Sequence, residues 1–318
     1  DDRFTVEEPG SESTDDGGSG NTESRLVNTF QKGWVQIAAD HGDGWKGEHT
    51  FSMGPERTEL LLRSEDEAWE DAMSIAARSE LYLPVPTDGV LGFRVGADVE
   101  MSMEEFVYAV EDLSGFFDYG QPEEGSATVF TPGLYLEQTQ RFGDFDAVPG
   151  VRVDVMSTDT EYLAVAVDPR FSLRWRPNPR TLVTLSGGRY SQFPELREVL
   201  VESGGNVDLG PEWSAQTGIV LRRDLSDLLA LETTVYHNWL RDLVVGREDR
   251  FELEFGLPAA LPLDQGSYEN DGVGRAYGVE GLLRFESRRT IAWLGGGLSR
   301  SVRVMRPDEA SELFEYDQ

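Results

Sequence analysis

Cysteine is absent from the 318 residues. That excludes disulfide frameworks, thiolate metal centres and thiol nucleophiles, and leaves the compartment open because exported proteins also avoid cysteine. Lysine is nearly absent too, since of 28 basic residues only Lys32 and Lys46 are not arginine; the bias fits forked hydrogen bonding or codon usage. Against 59 acidic residues these give a net charge of -31, which excludes a basic footprint for nucleic acid. No run approaches the ~18 consecutive apolar residues of a membrane helix. The first twenty residues lack the basic and apolar blocks of a signal peptide, so this end reads as cytoplasmic, already processed, or cut from something longer. The three histidines, His41, His49 and His237, are widely separated in sequence, with no metal or triad spacing. His237 shares alternate positions with Leu229, Leu231 and Val235 and is expected to point outward near a rim. No serine or carboxylate is spaced to partner it, so no enzyme and no cofactor are expected. The segment "TDDGGSGNTE" (14–23) lacks the spacing and closing glutamate of a calcium loop. Residues 1–24 read instead as an acidic flexible loop.

What is present is alternation. Val151, Val153 and Val155 alternate with Arg152 and Asp154, and Phe171, Leu173 and Trp175 alternate with Arg170, Ser172, Arg174 and Arg176. This period of two marks strands whose faces meet different surroundings. The same pattern sets Leu91, Phe93, Val95, Ala97 and Val99 on one face, as it does Trp213, Ala215, Thr217, Ile219 and Leu221, and Tyr277, Val279, Gly281, Leu283 and Phe285. The best helical candidate, "SEDEAWEDAMSIAARSE" (64–80), extends to one or two turns, and its second half also works as a strand start. About twelve strands are expected, at 25–39, 46–63, 72–85, 90–103, 129–141, 145–157, 166–176, 181–192, 212–223, 228–245, 272–286 and 290–304, with ends uncertain by ~2–4 residues.

The connections are unequal. Tight links at 86–89, 143–144, 177–180, 224–227 and 287–289 alternate with connections that are mostly longer, such as 104–128, 193–211 and 246–271. Acid gathers in 104–128, while arginine pairs such as Arg176 and Arg180, Arg222 and Arg223, and Arg288 and Arg289 flank the tight turns. Short turns at one end, long loops at the other, and strands at or beyond the ~9–11 residues that cross a bilayer describe an antiparallel transmembrane β-barrel. Trp34, Trp175, Tyr190, Trp213, Tyr236, Trp239, Tyr277 and Trp293 are expected in its interfacial girdles.

The second half, from about Phe145, resembles the barrel domain of TonB-dependent outer-membrane receptors. The resemblance rests on "DPRFSLRWRPN" (168–178), "SGGRYSQFPELRE" (186–198), "GNVDLGPEWSAQTGI" (205–219), "YENDGVGRAYGVEGLLRF" (268–285) and "LFEYDQ" (313–318). Gly205, Asn206, Leu209, Pro211 and Glu212 match the family's Gly-Asn-Pro-x-Leu-x-Pro-Glu signature, with Val207 in place of proline. Asn270, Gly278 and Glu280 match its Asn-x-Gly and Gly-x-Glu run. The resemblance implies a barrel of about 22 strands with a plugged lumen, a bacterial outer-membrane location and uptake of a scarce solute such as a siderophore, vitamin or glycan. It also implies an inner-membrane energy-coupling partner. No plug or coupling box is visible in the sequence, so the chain reads as an internal fragment, all of it part of one barrel domain.

On that reading Arg152, Asp154, Arg170, Arg174, Gln216, Glu280 and Arg284 face the lumen, to bond a plug or one another, or to guide a charged ligand. Ligand recognition falls to the long loops. Membrane lipid and lipopolysaccharide are the surrounding partners, the acidic loops meeting a cationic or metal-bearing ligand or bridging divalent cations to lipopolysaccharide. The main alternative is a passive porin or structural barrel without a plug. A barrel hydrolase and a soluble acidic all-β binding protein are further alternatives.

Overall fold

The computed structural model describes residues 2–6, 24–61, 67–85, 90–109, 123–201, 205–246, 268–304 and 312–313. Fifteen strands form one antiparallel sheet: β1 (Asp2–Val6), β2 (Ser24–Phe30), β3 (Gly33–Gly42), β4 (Trp45–Leu61), β5 (Glu67–Leu83), β6 (Val90–Ala109), β7 (Glu123–Phe142), β8 (Phe145–Thr158), β9 (Leu163–Asn178), β10 (Thr181–Gln192), β11 (Glu212–Asp224), β12 (Leu229–Gly246), β13 (Tyr268–Glu286), β14 (Ile291–Val304) and β15 (Glu312–Leu313). Each pairs with its sequence neighbour, except that β2 and β3 both pair with β4. These two are one strand interrupted at Gln31, whose N–H still donates to Pro55 O at 3.0 Å. The Gln31 carbonyl sits where a Cβ on Gly54 would be, so only glycine admits this bulge. Among the described residues β1 and β15 do not pair, and the sheet is an open arc of barrel wall.

All twelve expected strands are present. From Glu67 on, the stretch read as a helical candidate is strand, as its second half allowed, because β5 runs in unbroken register against β4 and β6. Cross-strand pairing on both sides overrides the helix propensity of its alanines and glutamates. Within 1–24, Asp2–Val6 forms β1 and Ser24 opens β2; 7–23 lies outside the described residues.

The two ends differ as expected. Links of two to six residues close one end, at 43–44, 84–89, 143–144, 179–180, 225–228 and 287–290. The loop end carries 7–23, 62–66, 110–122, 159–162, 193–211, 247–267 and 305–311. The connection expected at 104–128 is shorter than read, because β6 and β7 run on for 20 residues each and pair Glu104 and Glu105 with Ala127 and Ser126. At ~3.3 Å per residue and ~40° tilt, 20 residues rise about 50 Å, twice the ~25 Å apolar band of an outer-membrane barrel. The acidic half of these strands therefore stands in water, where charge in a strand costs little.

Alternation sorts the side chains by face. Leu173, Leu185, Ile219, Val235, Val279 and Leu298 lie in one register row across β9 to β14. Leu185, Ile219, Val235, Val279 and Leu298 are between 41 % and 77 % exposed, the inverse of a water-soluble core and the pattern of a lipid-facing band. From Leu229 and Phe285 at the turn end to Trp239 is ten residues, a rise of about 25 Å, so Trp239 marks the outer edge of that band. Of the eight girdle aromatics expected, Trp175, Trp213, Trp239 and Tyr277 lie on this face. Trp34, Tyr190, Tyr236 and Trp293 do not: their register partners Ser52, Ser214, Gly278 and Arg284 place them on the polar face.

Candidate functional site

The polar face is held by two groups of crossed side chains. Arg152 on β8 reaches over β7 to Asp98 on β6, with Nη1 2.8 Å from Oδ2 and Nη2 2.7 Å from Oδ1, and its Nε donates to Asp154 Oδ2 at 2.7 Å. Gly133 lies beneath; a Cβ there would come within 2.7 Å of all three side chains. The glycine lets a guanidinium lie flat on the sheet and grip two carboxylates in bidentate fashion. Beside it the Tyr135 ring covers Gly96, its hydroxyl donates to Glu80, and Arg78 Nη2 donates back to that hydroxyl at 3.3 Å. Arg94 Nε stands 3.2 Å from the same Glu80. A large residue over a glycine recurs where Arg170 lies across Gly188 and Tyr236 across Gly278.

The described parts of loop 193–211, residues 193–201 and 205–211, are folded and docked. The loop carries the helical turn α1 (Leu196–Val199), and its Leu196, Val199, Leu200 and Leu209 are buried with Phe106, Ala127, Val129, Met156, Ala164 and Val244. A loop that touches both β6 and β12 lies on the concave side, over the mouth of the arc. Tyr162, 1 % exposed, anchors it by donating its hydroxyl to Leu209 O at 3.1 Å. Burial, reinforced by the Glu198 carboxylate, pushes that phenol up to about 12. Asp168 on β9 fixes the entry, accepting from Ser191 N–H at 3.0 Å and Ser191 Oγ at 2.7 Å.

The motif residues are the clasp of this loop. A Cβ on Gly205 would meet Leu200 N and O at 2.6 Å, so the chain can double back there only as glycine. Asn206 N–H donates to Glu198 O at 2.7 Å and its Nδ2 to Tyr268 O at 2.9 Å. Asn270 on β13 accepts from Gly210 N–H at 2.7 Å and donates to Gly210 O at 3.1 Å and Asp242 O at 2.8 Å. Glu212 accepts the Val244 N–H, and Asp242, held at φ 54°, accepts the Trp213 indole N–H at 2.7 Å. Leu209 fills the core, and Pro211 precedes β11. Glu198 closes a capping box with Glu195; burial raises its pKa, more than the Glu195 N–H lowers it.

All seven residues read as lumen-facing lie on the polar face, but they do not converge. Arg152 and Asp154 share the Asp98 cluster. Arg170 lies 5.8 Å from the Tyr190 ring centre. Arg174 stands opposite Asp146 and Thr184. Gln216 Nε2 donates to Ser214 Oγ at 2.8 Å, Glu280 lies along Gly297, and Arg284 pairs with Glu286 at 2.7 Å. Three arginines at the turns are paired as well: Arg141 and Arg176 with Asp146, and Arg180 with Asp227.

His41 and His49 require a correction, whereas His237 points outward as expected. His41 and His49, only eight positions apart in sequence, converge over Gly47, their Nε2 atoms 2.9 and 3.0 Å from where its Cβ would stand. The β3–β4 hairpin brings them together, and no group of three potential metal ligands forms among the described residues. His237 is on the apolar face, stacked on Tyr277 at 5.6 Å and against Trp239 at 3.9 Å, with Nδ1 lacking a partner.

A family described as TonB dependent receptor-like, β-barrel matches residues 7–311. The chain belongs to this family. No curated protein sequence matches it. Among solved structures, the outer membrane transporter YddB from Escherichia coli aligns with a TM-score of 0.66 at 11 % identity, over 89 % of this chain and 43 % of that one. The FrpB iron transporter from Neisseria meningitidis gives 0.64 at 12 %, over 88 % and 44 %. BauA, the ferric preacinetobactin receptor from Acinetobacter baumannii, gives 0.63 at 11 %, over 88 % and 46 %. At such identities the likeness is one of fold, and the chain spans less than half the length of these proteins. Motif residues that a sequence resemblance can only mark thus acquire a structural role in this TonB-dependent receptor barrel: they pin an inward loop. Asp98, Gly133, Tyr135, Tyr162 and Asp168 were not singled out from the sequence, because their partners lie 19 to 57 residues away.

Proposed function

We propose that this chain forms part of the wall of a bacterial outer-membrane uptake receptor, which binds a small solute at the loop end and passes it inward with energy from an inner-membrane coupling protein. Membership of the TonB-dependent receptor family over residues 7–311 carries the reading. The arrangement of the site supports it. A loop clasped over the mouth narrows the lumen, and the polar inner face offers charged groups for a plug supplied elsewhere in the protein. Ferric chelates are the first substrate class to test, since two of the structural relatives are named for iron or a ferric siderophore.

The test uses cells expressing the full protein and a set of ⁵⁵Fe-loaded catecholate and hydroxamate chelates. Uptake of at least one chelate is expected, and it should stop when the proton gradient is collapsed or the coupling protein deleted. Entry that survives both treatments, with ion conductance across planar bilayers, would replace this reading with the passive porin.

A further inference from the structure

On the apolar face, at the outer edge of the lipid band, four arginines stand in register. Arg189, Ala215, Trp239 and Arg275 form one row across β10 to β13; Trp213 and Arg241 pair one step above, and Thr217, His237, Tyr277 and Arg300 one step below. Arg241, Arg275 and Arg300 are exposed, and as diagonal neighbours on adjacent strands they lie ~7–8 Å apart. Arg189 lies 4.9 Å from the Trp213 ring centre and its Nε has no hydrogen-bond partner. None of the four makes an ion pair among the described residues, whereas Arg152, Arg176, Arg222 and Arg284 on the polar face do.

That contrast is informative because acid is abundant in this chain, 59 residues of 318. The nearest carboxylate along β12, Asp242, is engaged by the Trp213 indole. Neighbouring like charges repel, and the cost falls if an anion from outside the protein lies between them. Directly below runs a groove floored by Leu185, Ile219, Val235, Val279 and Leu298, with His237, Tyr277 and Arg300 at its upper edge. Cations and aromatic rings over an apolar channel match a molecule with a phosphate head and hydrocarbon chains.

We propose that this surface holds a phosphorylated glycolipid of the outer leaflet, its phosphates between Arg241, Arg275 and Arg300 and an acyl chain in the groove. The inference rests on the outer-membrane reading, because only there does the loop end face such a lipid. A single arginine lost from a phosphate contact is expected to weaken binding about ten-fold.

The full protein, purified in detergent, is titrated with bisphosphorylated lipid A, with its enzymatically dephosphorylated form, with phosphatidylglycerol and with inorganic phosphate, and complexes are counted by native mass spectrometry. Lipid A should bind best. Dephosphorylation, or the double substitution Arg275→Gln with Arg300→Gln, should weaken it by about a hundred-fold, two arginine contacts at ten-fold each. Arg180→Gln at the turn end should leave it unchanged. Equal binding of the dephosphorylated lipid, equal binding of phosphatidylglycerol, or an unaffected double variant overturns the proposal. Heat-dependent gel migration reports whether each variant is a folded barrel. If the double variant does not fold, Arg275→Lys with Arg300→Lys takes its place, and must retain the preference for phosphorylated over dephosphorylated lipid. Binding is scored without transport, so absent uptake with intact lipid A binding sinks the receptor reading alone, and the reverse result sinks this one alone.

Discussion

Replacing Asn270 with alanine removes the clasp at its centre. Its amide makes three hydrogen bonds, one accepted from Gly210 N–H and two donated, to Gly210 O and Asp242 O, at 2.7, 3.1 and 2.8 Å. Each intramolecular hydrogen bond contributes a net ~0.5–1.5 kcal/mol; two of the three hold Gly210, so loop docking loses about 2 kcal/mol. That loss falls on loop docking, because the β13 backbone keeps its register on both sides. A factor of ten corresponds to ~1.4 kcal/mol, so the open population of the loop should rise about 30-fold. Amide hydrogen exchange of the full protein in detergent measures this directly, since protection reports the free energy of local opening. Protection at 196–201 and 205–211 should fall by that factor while β9 to β11 mid-strand amides are unchanged. Asn270→Asp keeps the acceptor for Gly210 N–H but turns carboxylate oxygens toward two carbonyls, and should be at least as damaging. A change of less than about five-fold in the loop, or an equal loss across the sheet, would refute the idea that Asn270 holds a separable docked element.

Glu198 gives the docked loop a pH dependence. Its folded-state pKa is raised by burial, so docking is strongest below the ordinary glutamate pKa, weakens as pH climbs through the raised value, and stays weaker above it. Protection factors corrected for intrinsic exchange should show this slope, and Glu198→Gln should flatten it. Arg152→Gln leaves Asp98 and Asp154 facing each other; with the three side chains 21–25 % exposed, solvent screening holds the expected loss to about 1–2 kcal/mol. Thermal unfolding in detergent should detect it, and adding Asp98→Asn should recover part of it. Leu134, 64 % exposed on the apolar face, should cost ~2–4 kcal/mol as arginine at the bilayer midplane. Denaturant titration of vesicle-folded protein measures that cost, and a neutral result would place Leu134 outside the lipid band.

Strands and faces were legible because alternation is a local property. Val151, Val153 and Val155 against Arg152 and Asp154 need no partner to show which face is which, and pairing followed in chain order. Ends were less legible: Glu104 and Glu105 read as loop because they are charged, whereas the barrel wall continues above the membrane and charge there is solvated. The girdle failed at Trp34, Tyr190, Tyr236 and Trp293 because nearness to a strand end says nothing of parity. The clasp was visible only as a resemblance. Gly205 and Asn270 are 65 positions apart, and the roles they play depend on Leu200, Gly210 and Asp242, which no spacing rule links to them.

The motif residues and the lumen residues now part company in what they do. Gly205, Asn206 and Asn270 bond mainly backbone groups, and a clasp built on backbone works whatever side chains the rest of the loop carries. Arg152, Arg170 and Arg284 contact side chains that are themselves variable in kind: two aspartates, a tyrosine, a glutamate. Under the proposed uptake function, the second set can be altered without loosening the first. The expectation that follows is asymmetric. Substitutions in the clasp should change loop protection and stability before they change which solute is bound, and substitutions on the exposed side of α1, such as Arg197→Ala, should change solute preference while loop protection stays within a few-fold of the parent.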